Sequence, residues 1–418
     1  MSLRVVIVGA GLGGLALAHA LVRAGDDVVV LERDADLGAG GYRITLTGAA
    51  TAVLREHLEP RLYQAIQARS AGRSAIRRFH FVDRRMRVLG VERLPVDEEL
   101  LLVDRSTLRA QLGAGLEGRI RFGTAARGAR VDADGTAVVE LADGTQLHAD
   151  LVVGADGARS AVAASMAGRP LATSCGLDGA AGRTWLDDAT SRLVPAFLRT
   201  GPALAVGPRG IGMFLSVQDP RSSVVDARLV DDGIGGAARA SLVWGCIAPE
   251  GRLPRGRDGN GTAVVRSALE LLAGWAPVAR ALVGASDPEQ TATFRFVAAD
   301  PDAPMPPWPA GPVTALGDAV HAMPPTGGQA GATAIRDAGA LAARLVGVHS
   351  GAVPLGTAIA DFHRDMGAYA PGAVRESLAP VRIIRATARE PLSSLAGIAL
   401  GAIGPVAERV LRARGELD

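Results

Sequence analysis

The chain has 418 residues, of which 48% are hydrophobic and 21% charged, and its formal net charge is +2 at pH 7. This balance is typical of a folded globular protein with room for two domains and excludes a disordered chain. All 45 basic residues are arginine, which excludes enzymes that need a Schiff-base or P-loop lysine. The chain has no dense basic run, so we expect no nucleic-acid partner.

The N-terminus predicts a strand, a glycine-rich turn and a helix. Residues 3–8 form an apolar run, residues 9–14 read GAGLGG, and an Ala- and Leu-rich stretch follows. In such a unit Gly9 permits the tight turn, Gly11 lets a pyrophosphate approach the backbone, and Gly14 lets the helix pack on the strand. The unpaired N–H groups at the helix start would hold the pyrophosphate.

A carboxylate stands where a dinucleotide site needs one. A second apolar run, residues 27–31, ends at Glu32. A carboxylate at that spacing after the glycine-rich turn accepts the 2′- and 3′-hydroxyls of a ribose and repels a 2′-phosphate. The two features together predict a dinucleotide-binding site.

The pattern predicts short alternating elements from there to residue 155. We expect a strand over residues 41–46, a helix over 49–58, a strand pair over 77–89 broken near 83–84, a helix over 104–116, and a β-meander whose last strand spans 149–155. Asp-Gly pairs at 134–135 and 143–144 supply the hairpin turns of the meander.

A third Asp-Gly pair, Asp156-Gly157, follows an apolar strand and opens a predicted helix over residues 159–166. It is explained either as a turn with a helix N-cap or as part of a functional site. The spacing leaves both explanations open.

Residues 170–298 change in character. Strand-like runs at 212–217, 224–230 and 241–247 alternate with turn residues, which is typical of an antiparallel sheet. We expect Met213, Phe214 and Trp185 to pack in its core. The Pro-rich residues 300–309 form a stiff connector back to the nucleotide-binding part.

These patterns predict an α/β chain in which a sheet domain is inserted into a Rossmann-type domain and helices follow at the C-terminus. The expected ranges are 1–75, 101–170 and 299–350 for the three parts of the nucleotide-binding domain, 76–100 and 171–298 for the mostly antiparallel substrate sheet, and 351–418 for the C-terminal helices.

A third motif lies between residues 313 and 332. A short strand ends on Gly317-Asp318, and a rigid Pro324-Pro325 segment, a glycine-rich turn and a helix beginning near Ala332 follow. A carboxylate at a strand end beside free N–H groups at a helix start suits a ligand with hydroxyls and a phosphate or an electron-rich ring.

Cysteine use and hydropathy bear on the compartment. Cys175 and Cys246 lie in no metal-binding spacing, so we expect no metal site, no disulfide and a cytoplasmic protein. A strand at residues 3–8 leaves no room for a cleaved signal, and we expect no integral membrane segment. The apolar residues 392–403 predict either a buried helix or a surface that rests on a membrane or a partner.

Three groups of residues, taken in order, resemble a known family. They are Gly9-x-Gly11-x-x-Gly14 with Glu32, Asp156-Gly157-x-x-Ser160, and Gly317-Asp318 with His321 and Pro324-Pro325. They resemble the signatures of single-component, FAD-dependent aromatic hydroxylases, the para-hydroxybenzoate-hydroxylase-like class A flavoprotein monooxygenases. The resemblance covers the whole chain and implies a Rossmann-type (GR2-like) FAD domain joined to a sheet-based substrate domain, with the flavin ring at the junction.

The resemblance implies a role for the matching residues. The glycines would cradle the FAD pyrophosphate, Glu32 would hold the adenosine ribose, Arg105 would reach the phosphates, and Asp318 would bond the ribityl chain. The residues that it places at the cofactor are Gly9, Ala10, Gly11, Leu12, Gly13, Gly14, Glu32, Arg33, Arg43, Arg105, Asp156, Gly317, Asp318, Pro325, Gly328, Gln329, Ala330, Gly331 and Ala332.

Three of these assignments carry more detail. Pro325 would pack near the reactive side of the ring, and Asp156 would support the FAD region and NAD(P)H use. Arg43 stands where the family often has an arginine near the flavin, although a solvent-facing strand residue also fits its position.

The chain departs from the family pattern in two places. After the prolines the family commonly has Gly-Gln-Gly-x-Asn, where this chain has Ala330 and, in place of the asparagine, Ala332. Flavin contacts there would come from backbone N–H groups. Ala163 stands where the second motif usually has an arginine, a departure that bears on nicotinamide handling.

The implied chemistry is carried by the flavin. NADH or NADPH, bound transiently, would reduce FAD, and O₂ would add at C4a to give a hydroperoxide that hydroxylates an aromatic or polycyclic small molecule. No general base stands out among His80, Asp83, Tyr42 and His321. We expect a monomer or a homodimer. Two alternatives stay open: another FAD-dependent oxidoreductase, such as a reductase or epoxidase, and a protein that sequesters flavin or ligand without turnover.

Overall fold

A computed structural model describes residues 1–38, 43–71, 77–93, 100–219, 239–254 and 260–388. The expected strand over 224–230, the side chain of Tyr42 and the apolar stretch 392–403 lie outside these ranges.

The described residues form seventeen strands and eleven α-helices. The strands are β1 (Arg4–Val8), β2 (Asp27–Leu31), β3 (Arg43–Leu46), β4 (Arg78–Asp83), β5 (Val88–Arg93), β6 (Leu101–Asp104), β7 (Ile120–Arg121), β8 (Ala126–Val131), β9 (Ala137–Leu141), β10 (Gln146–Ala149), β11 (Leu151–Gly154), β12 (Ala172–Trp185), β13 (Ala203–Val206), β14 (Gly212–Gln218), β15 (Ser241–Pro249), β16 (Ala292–Ala299) and β17 (Val313–Ala315). The helices are α1 (Leu12–Ala24), α2 (Gly48–His57), α3 (Pro60–Ala68), α4 (Arg105–Gly113), α5 (Ala161–Ala167), α6 (Asp188–Leu193), α7 (Gly261–Leu271), α8 (Pro277–Gly284), α9 (Asp318–His321), α10 (Ala330–His349) and α11 (Leu355–Ala386).

A five-stranded parallel sheet with the order β17-β11-β1-β2-β7 lies at the centre of the nucleotide-binding part. Its middle strand β1 alternates between two cores. Val5 and Ile7 belong to the cluster that includes α1 and α10, whereas Val6 and Val8 pack with the β8–β9–β10 meander. Because other elements cover both faces of the parallel sheet, β1 and β11 are continuous apolar runs.

The expectation of one meander strand over residues 149–155 is wrong. The chain turns at Asp150, whose N–H donates to Arg4 O over 2.9 Å and whose Oδ2 accepts from Arg4 N over 2.7 Å. Before the turn β10 pairs antiparallel with β9, and after it β11 pairs parallel with β1. The fully buried residues 151–154 therefore belong to the parallel sheet, where both faces of a strand are covered.

The second large sheet has seven strands in the order β16-β12-β15-β14-β13-β4-β5. It is mostly antiparallel, with one parallel pair between β13 and β4. Helices α7 and α8, which the turn-rich pattern did not predict, cover one face, where Met213, Leu215 and Trp244 are fully buried. Phe214 and Trp185 lie on the other face and are half-buried, so the expectation of core packing holds for Met213 alone.

The long helix α11 packs beside the parallel sheet. His363 Nε2 lies 2.9 Å from Thr314 Oγ1 on β17, and burial lowers the pKa of His363 to about 4. Of the helices in the described ranges, none combines the length and the apolar character needed to cross a bilayer.

The folded protein therefore resists protonation of His363 more than the unfolded chain does. Because the pKa is 6.5 when unfolded and about 4 when folded, the stabilising effect of neutral His363 is complete above pH 6.5 and is lost as the pH falls toward 4. We expect His363→Gln to lower the slope of the unfolding free energy against pH in this window, measured by urea denaturation. The same substitution at the exposed His148 should leave the slope unchanged, and equal slopes for both variants would contradict the prediction.

Candidate functional site

The β1–α1 turn is packed backbone against backbone. Gly9 has φ 110°, and a Cβ there would stand 2.3 Å from Ala155 O. A Cβ on Gly14 would stand 2.2 Å from Gly9 O. A Cβ on Gly11 would stand 3.7 Å from the nearest atom, Ala155 O, so the protein itself does not exclude a side chain at this position. Gly9 and Gly14 are therefore required by the fold, whereas Gly11 keeps one side of the turn open.

Two helix N-termini present free backbone donors here. In α1 and α10 the first N–H groups to bond back within the helix, those of Leu15 and Thr333, do so over 2.9 Å. The N–H groups of residues 12–14 and 330–332 precede that ladder. Gly331 links the two helix ends, because a Cβ on it would stand 3.1 Å from Leu12 Cδ1 and from Ile44 Cδ1.

Glu32 is buried and already holds three donors. Its Oε2 accepts from Ala10 N at 3.0 Å and from Arg109 Nη2 at 2.6 Å, and its Oε1 accepts from Asp34 N at 2.9 Å. A carboxylate has about four acceptor positions. One position remains on Oε1 for a hydroxyl group of a ligand. Arg33 points to solvent with a side chain 57% exposed.

Asp156 lies directly behind the glycine-rich turn, since its neighbour Ala155 contacts Gly9. Its Oδ2 accepts from Ala161 N at 2.7 Å at the start of α5, where Ser160 Oγ caps Ala163 N at 2.8 Å. Its Oδ1 is buried without a partner among the described residues, and burial raises its pKa. The Asp-Gly pair therefore caps α5, and the Oδ1 atom of Asp156 stays available to a ligand beside the glycine-rich turn.

The third motif packs on the first. A Cβ on Gly13 would stand 2.7 Å from Leu316 Cδ1, and a Cβ on Gly317, whose φ is 62°, would stand 2.9 Å from Ala334 Cβ. Asp318 follows, and its Oδ1 is buried with no partner in the described part of the chain. Burial raises the pKa of Asp318, while the charges of His321 and Arg105 act to lower it.

One carboxylate of α10 holds this turn in place. Asp337 is fully buried, and its Oδ2 accepts from Gly317 N at 2.8 Å and contacts His321 Nε2 at 2.6 Å, while its Oδ1 accepts from Tyr369 OH at 2.6 Å. Burial alone would lower the pKa of His321, yet the Asp337 carboxylate raises it above its usual value. The pair orients the turn that carries Asp318.

The remaining predicted residues surround the start of α10. Pro325 and Gly328 bracket a short 3-10 turn, Gln329 Nε2 donates to Glu376 Oε2 at 2.6 Å, and Ala332 is buried. Arg43 is buried too, so the alternative of a solvent-facing strand residue is wrong.

These residues fit a flavin dinucleotide. Two helix N-termini converge, Gly11 leaves room for a pyrophosphate, and an acid stands at the end of β2. Asp318 Oδ1 and Asp156 Oδ1 are buried polar atoms that lack partners among the described residues. Buried polar atoms in proteins are normally bonded to protein, water or a ligand, so these two atoms are candidates for contacts with the cofactor.

Comparison with known families agrees with this geometry. The family model described as FAD binding domain matches residues 2–174 and 287–357, more than half of the chain. The chain belongs to this FAD-binding family. FAD is its cofactor, and the resemblance drawn from the three motifs and the α/β fold class are confirmed.

Individual relatives extend the comparison. The dual O-methyltransferase/FAD-dependent monooxygenase CTB3 of Cercospora beticola is 28% identical over 400 residues, covering 87% of this chain and 44% of the relative. This chain thus spans less than half the length of that protein. The FAD-dependent urate hydroxylase of Mycolicibacterium vanbaalenii is 29% identical over 350 residues, covering 81% and 78%.

A solved structure supports the same fold. It comes from Photorhabdus luminescens, is provisionally assigned as an FAD-containing monooxygenase, and is 28% identical with a TM-score of 0.76, covering 93% of this chain and 99% of the other.

The histidine and aspartate candidates for a general base have structural partners. His80 is fully buried, with its ring nitrogens 3.3 Å from Pro202 O and 3.4 Å from Thr200 Oγ1. Asp83 closes the β4–β5 turn by accepting from Arg87 Nε at 2.8 Å. His321 is paired with Asp337, so no base is assigned among these three.

Two residues that hold the site together, Arg109 and Asp337, were not predicted from the sequence, although a feature of the sequence hints at each. Arg109 follows Arg105 by one helical turn on α4 and so shares its face. Asp337 is the one charged residue among the buried residues of α10, where an unpaired charge would be costly.

A substitution at Gly11 is expected to weaken FAD binding without destabilising the fold. Because its φ of −77° suits any residue and a Cβ has room, Gly11→Ala should leave the unfolding free energy of the FAD-free protein within about 0.5 kcal/mol of wild type. The added methyl group would occupy the pyrophosphate approach, so the FAD dissociation constant should rise at least tenfold or so. Flavin fluorescence titration and thermal denaturation measure the two effects. Gly356→Ala, at an open helical position, is the control, and unchanged FAD affinity in Gly11→Ala would contradict the assignment.

Asp337 is expected to matter for both stability and cofactor retention. Asp337→Asn removes the charge that pairs with His321 and should lower the unfolding free energy by roughly 3 kcal/mol. Asp365→Asn, which breaks the exposed pair with Arg344, should lower the unfolding free energy far less, because water and salt screen a surface pair. Urea denaturation with and without FAD checks both variants. Equal losses in the two would show that the Asp337–His321 pair has no special role.

Proposed function

We propose that this chain is a monooxygenase that uses FAD and NADH or NADPH to hydroxylate an aromatic or polycyclic small molecule. The observation that carries the proposal is the convergence of the three motifs on one site, where buried polar atoms have no partner among the residues that the structure describes. The names of its relatives as FAD-dependent monooxygenases support it.

A half-open aromatic face of the seven-stranded sheet supports an aromatic substrate. Phe81, Leu204 and Phe214 are cross-strand partners and therefore share a face. Phe81 is 40% exposed, and its ring centroid lies 5.2 Å from that of Phe79. Ring faces of this kind stack on flat apolar molecules.

This face is turned toward the FAD-binding part. Ser216 is two residues beyond Phe214 on the same face, and its Oγ accepts from Arg43 Nη1 over 2.9 Å. Arg43 belongs to β3, whose next residue Ile44 packs against Gly331 at the start of α10. The aromatic ring of a substrate stacked on Phe214 would therefore lie between the sheet and the flavin-binding loop.

Each group of residues in the site would bind a different part of FAD. The N–H groups of residues 12–14 with Arg105 would hold the pyrophosphate, Glu32 one ribose hydroxyl, Asp318 the ribityl chain, and the N–H groups of residues 330–332 the pyrimidine edge. When bound, FAD supplies hydride acceptance from NADH or NADPH and O₂ activation. Packing of Pro325 and the sheet face over the ring would exclude water. A cytoplasmic monomer or homodimer is part of the proposal.

The activity is tested by coupling NADPH and NADH oxidation to product formation. For at least one ring compound in a panel of phenols and polycyclic aromatics, we expect faster oxidation, little hydrogen peroxide, and one ¹⁸O atom from ¹⁸O₂ in the product by mass spectrometry. Asp318→Ala should abolish the stimulation and release FAD.

Other outcomes point to the alternatives. Stimulated oxidation that yields only peroxide or a reduced product would favour a different FAD-dependent oxidoreductase. Retention of FAD without nicotinamide oxidation would favour a protein that sequesters its ligand. Either result would contradict the monooxygenase proposal.

A further inference from the structure

Arg43 is a buried cation without a counter-ion among the described residues. Its side chain is held on the aromatic side of the sheet, where Nη1 donates to Ser216 Oγ at 2.9 Å and to Val217 O. Only 9% of the residue is exposed. Burial lowers the pKa of Arg43 to about 9, which leaves the guanidinium charged at neutral pH.

The carboxylate closest along the strand ladder is already used. Asp104 is the cross-strand neighbour of Arg43 in the β3–β6 pair, but its Oδ2 pairs with Arg183 Nη2 from β12. Its Oδ1 accepts from Thr107 N at 3.0 Å and from Ser106 Oγ, as the cap of α4. Two guanidinium groups and one carboxylate leave a net charge of about +1 in a buried place, which is costly unless an anion joins them.

The unused donors of Arg43 form a fork. Its Nε and Nη2 are both buried and have no partner in the described part of the chain. These two atoms lie on one edge of the planar group, the edge that binds a carboxylate with two parallel hydrogen bonds. The same edge of Arg344 holds Asp365 in this way, with Nε and Nη2 at 2.7 and 2.9 Å from its two oxygens.

We propose that the Nε–Nη2 edge of Arg43 binds the carboxylate, or an equivalent planar pair of anionic oxygens, of an acidic aromatic substrate. The proposal rests on the proposed function, because it places the ring on Phe79, Phe81 and Phe214. A flavin edge also offers two acceptors to such a fork. The substrate is favoured because oxidised flavin is neutral and would not balance the buried charge, and because Arg43 is anchored to the substrate sheet.

The test compares ring compounds that differ only in charge. The FAD-loaded protein is titrated by calorimetry with 2-naphthoate and 2-naphthamide, and with benzoate and benzamide. Wild type should bind at least one carboxylate about tenfold or more tightly than its amide, as charge-assisted hydrogen bonds require. Arg43→Met should abolish the preference, and Arg43→Lys, which keeps the charge without the fork, should retain only part of it. Arg344→Met, which removes a surface fork, should keep the full preference.

Three results would overturn the proposal. If no carboxylate binds better than its amide in wild type, or if the preference survives in both Arg43 variants, the site is not an anion site. If Arg43→Met loses FAD while the preference persists, the fork belongs to the flavin. A carboxylate preference without nicotinamide oxidation would instead contradict the proposed function and leave the anion site standing.

Discussion

Close packing between the three motifs at glycine positions is the constraint on which the rest of the structure depends. Gly9 lies against the backbone of Ala155, and Gly13 lies against the side chain of Leu316 and the backbone of Ala334, so a side chain at either glycine would push the β1–α1 turn away from the segments beside it. Because the strands are neighbours in a parallel sheet, all three turns meet at one edge. The cofactor site is therefore a product of sheet order and of the absence of Cβ atoms, more than of any single ligand-binding side chain.

Charge in this site is arranged in linked pairs. Asp337 neutralises His321 and so fixes the Gly317 turn, while Arg109 neutralises Glu32 and also bonds Ala10 O at 2.7 Å. Each pair ties a distant helix to a loop that carries a ligand-binding group. Buried pairs of this sort cost desolvation energy, and their benefit is orientation. The cofactor would meet groups whose positions are already set.

Much of this was predictable from the sequence because the motifs are local. The strand–GAGLGG–helix unit and the Gly317-Asp318 strand end follow from neighbouring residues, and the helix N-termini form where expected. Long-range pairing was not predictable. The residues that flank Arg109 in the sequence do not indicate that it pairs with Glu32. The division of the predicted strand into β10 and β11 at Asp150 depends on hydrogen bonds to Arg4. Helices α7 and α8 were missed because short turns around them suggested strands only.

The alternation of side chains between the two faces of β14 has an evolutionary consequence. Residues 213 and 215 build the interior with α7 and α8, whereas residues 214 and 216 lie on the opposite face, where Ser216 bonds Arg43. If that face holds the substrate as we propose, mutations at even positions of β14 would alter which molecules are accepted while the neighbouring odd positions preserve the fold. Such a strand can diverge in selectivity without passing through unfolded intermediates. A lineage built on it would therefore be expected to diversify in substrate range faster than in architecture.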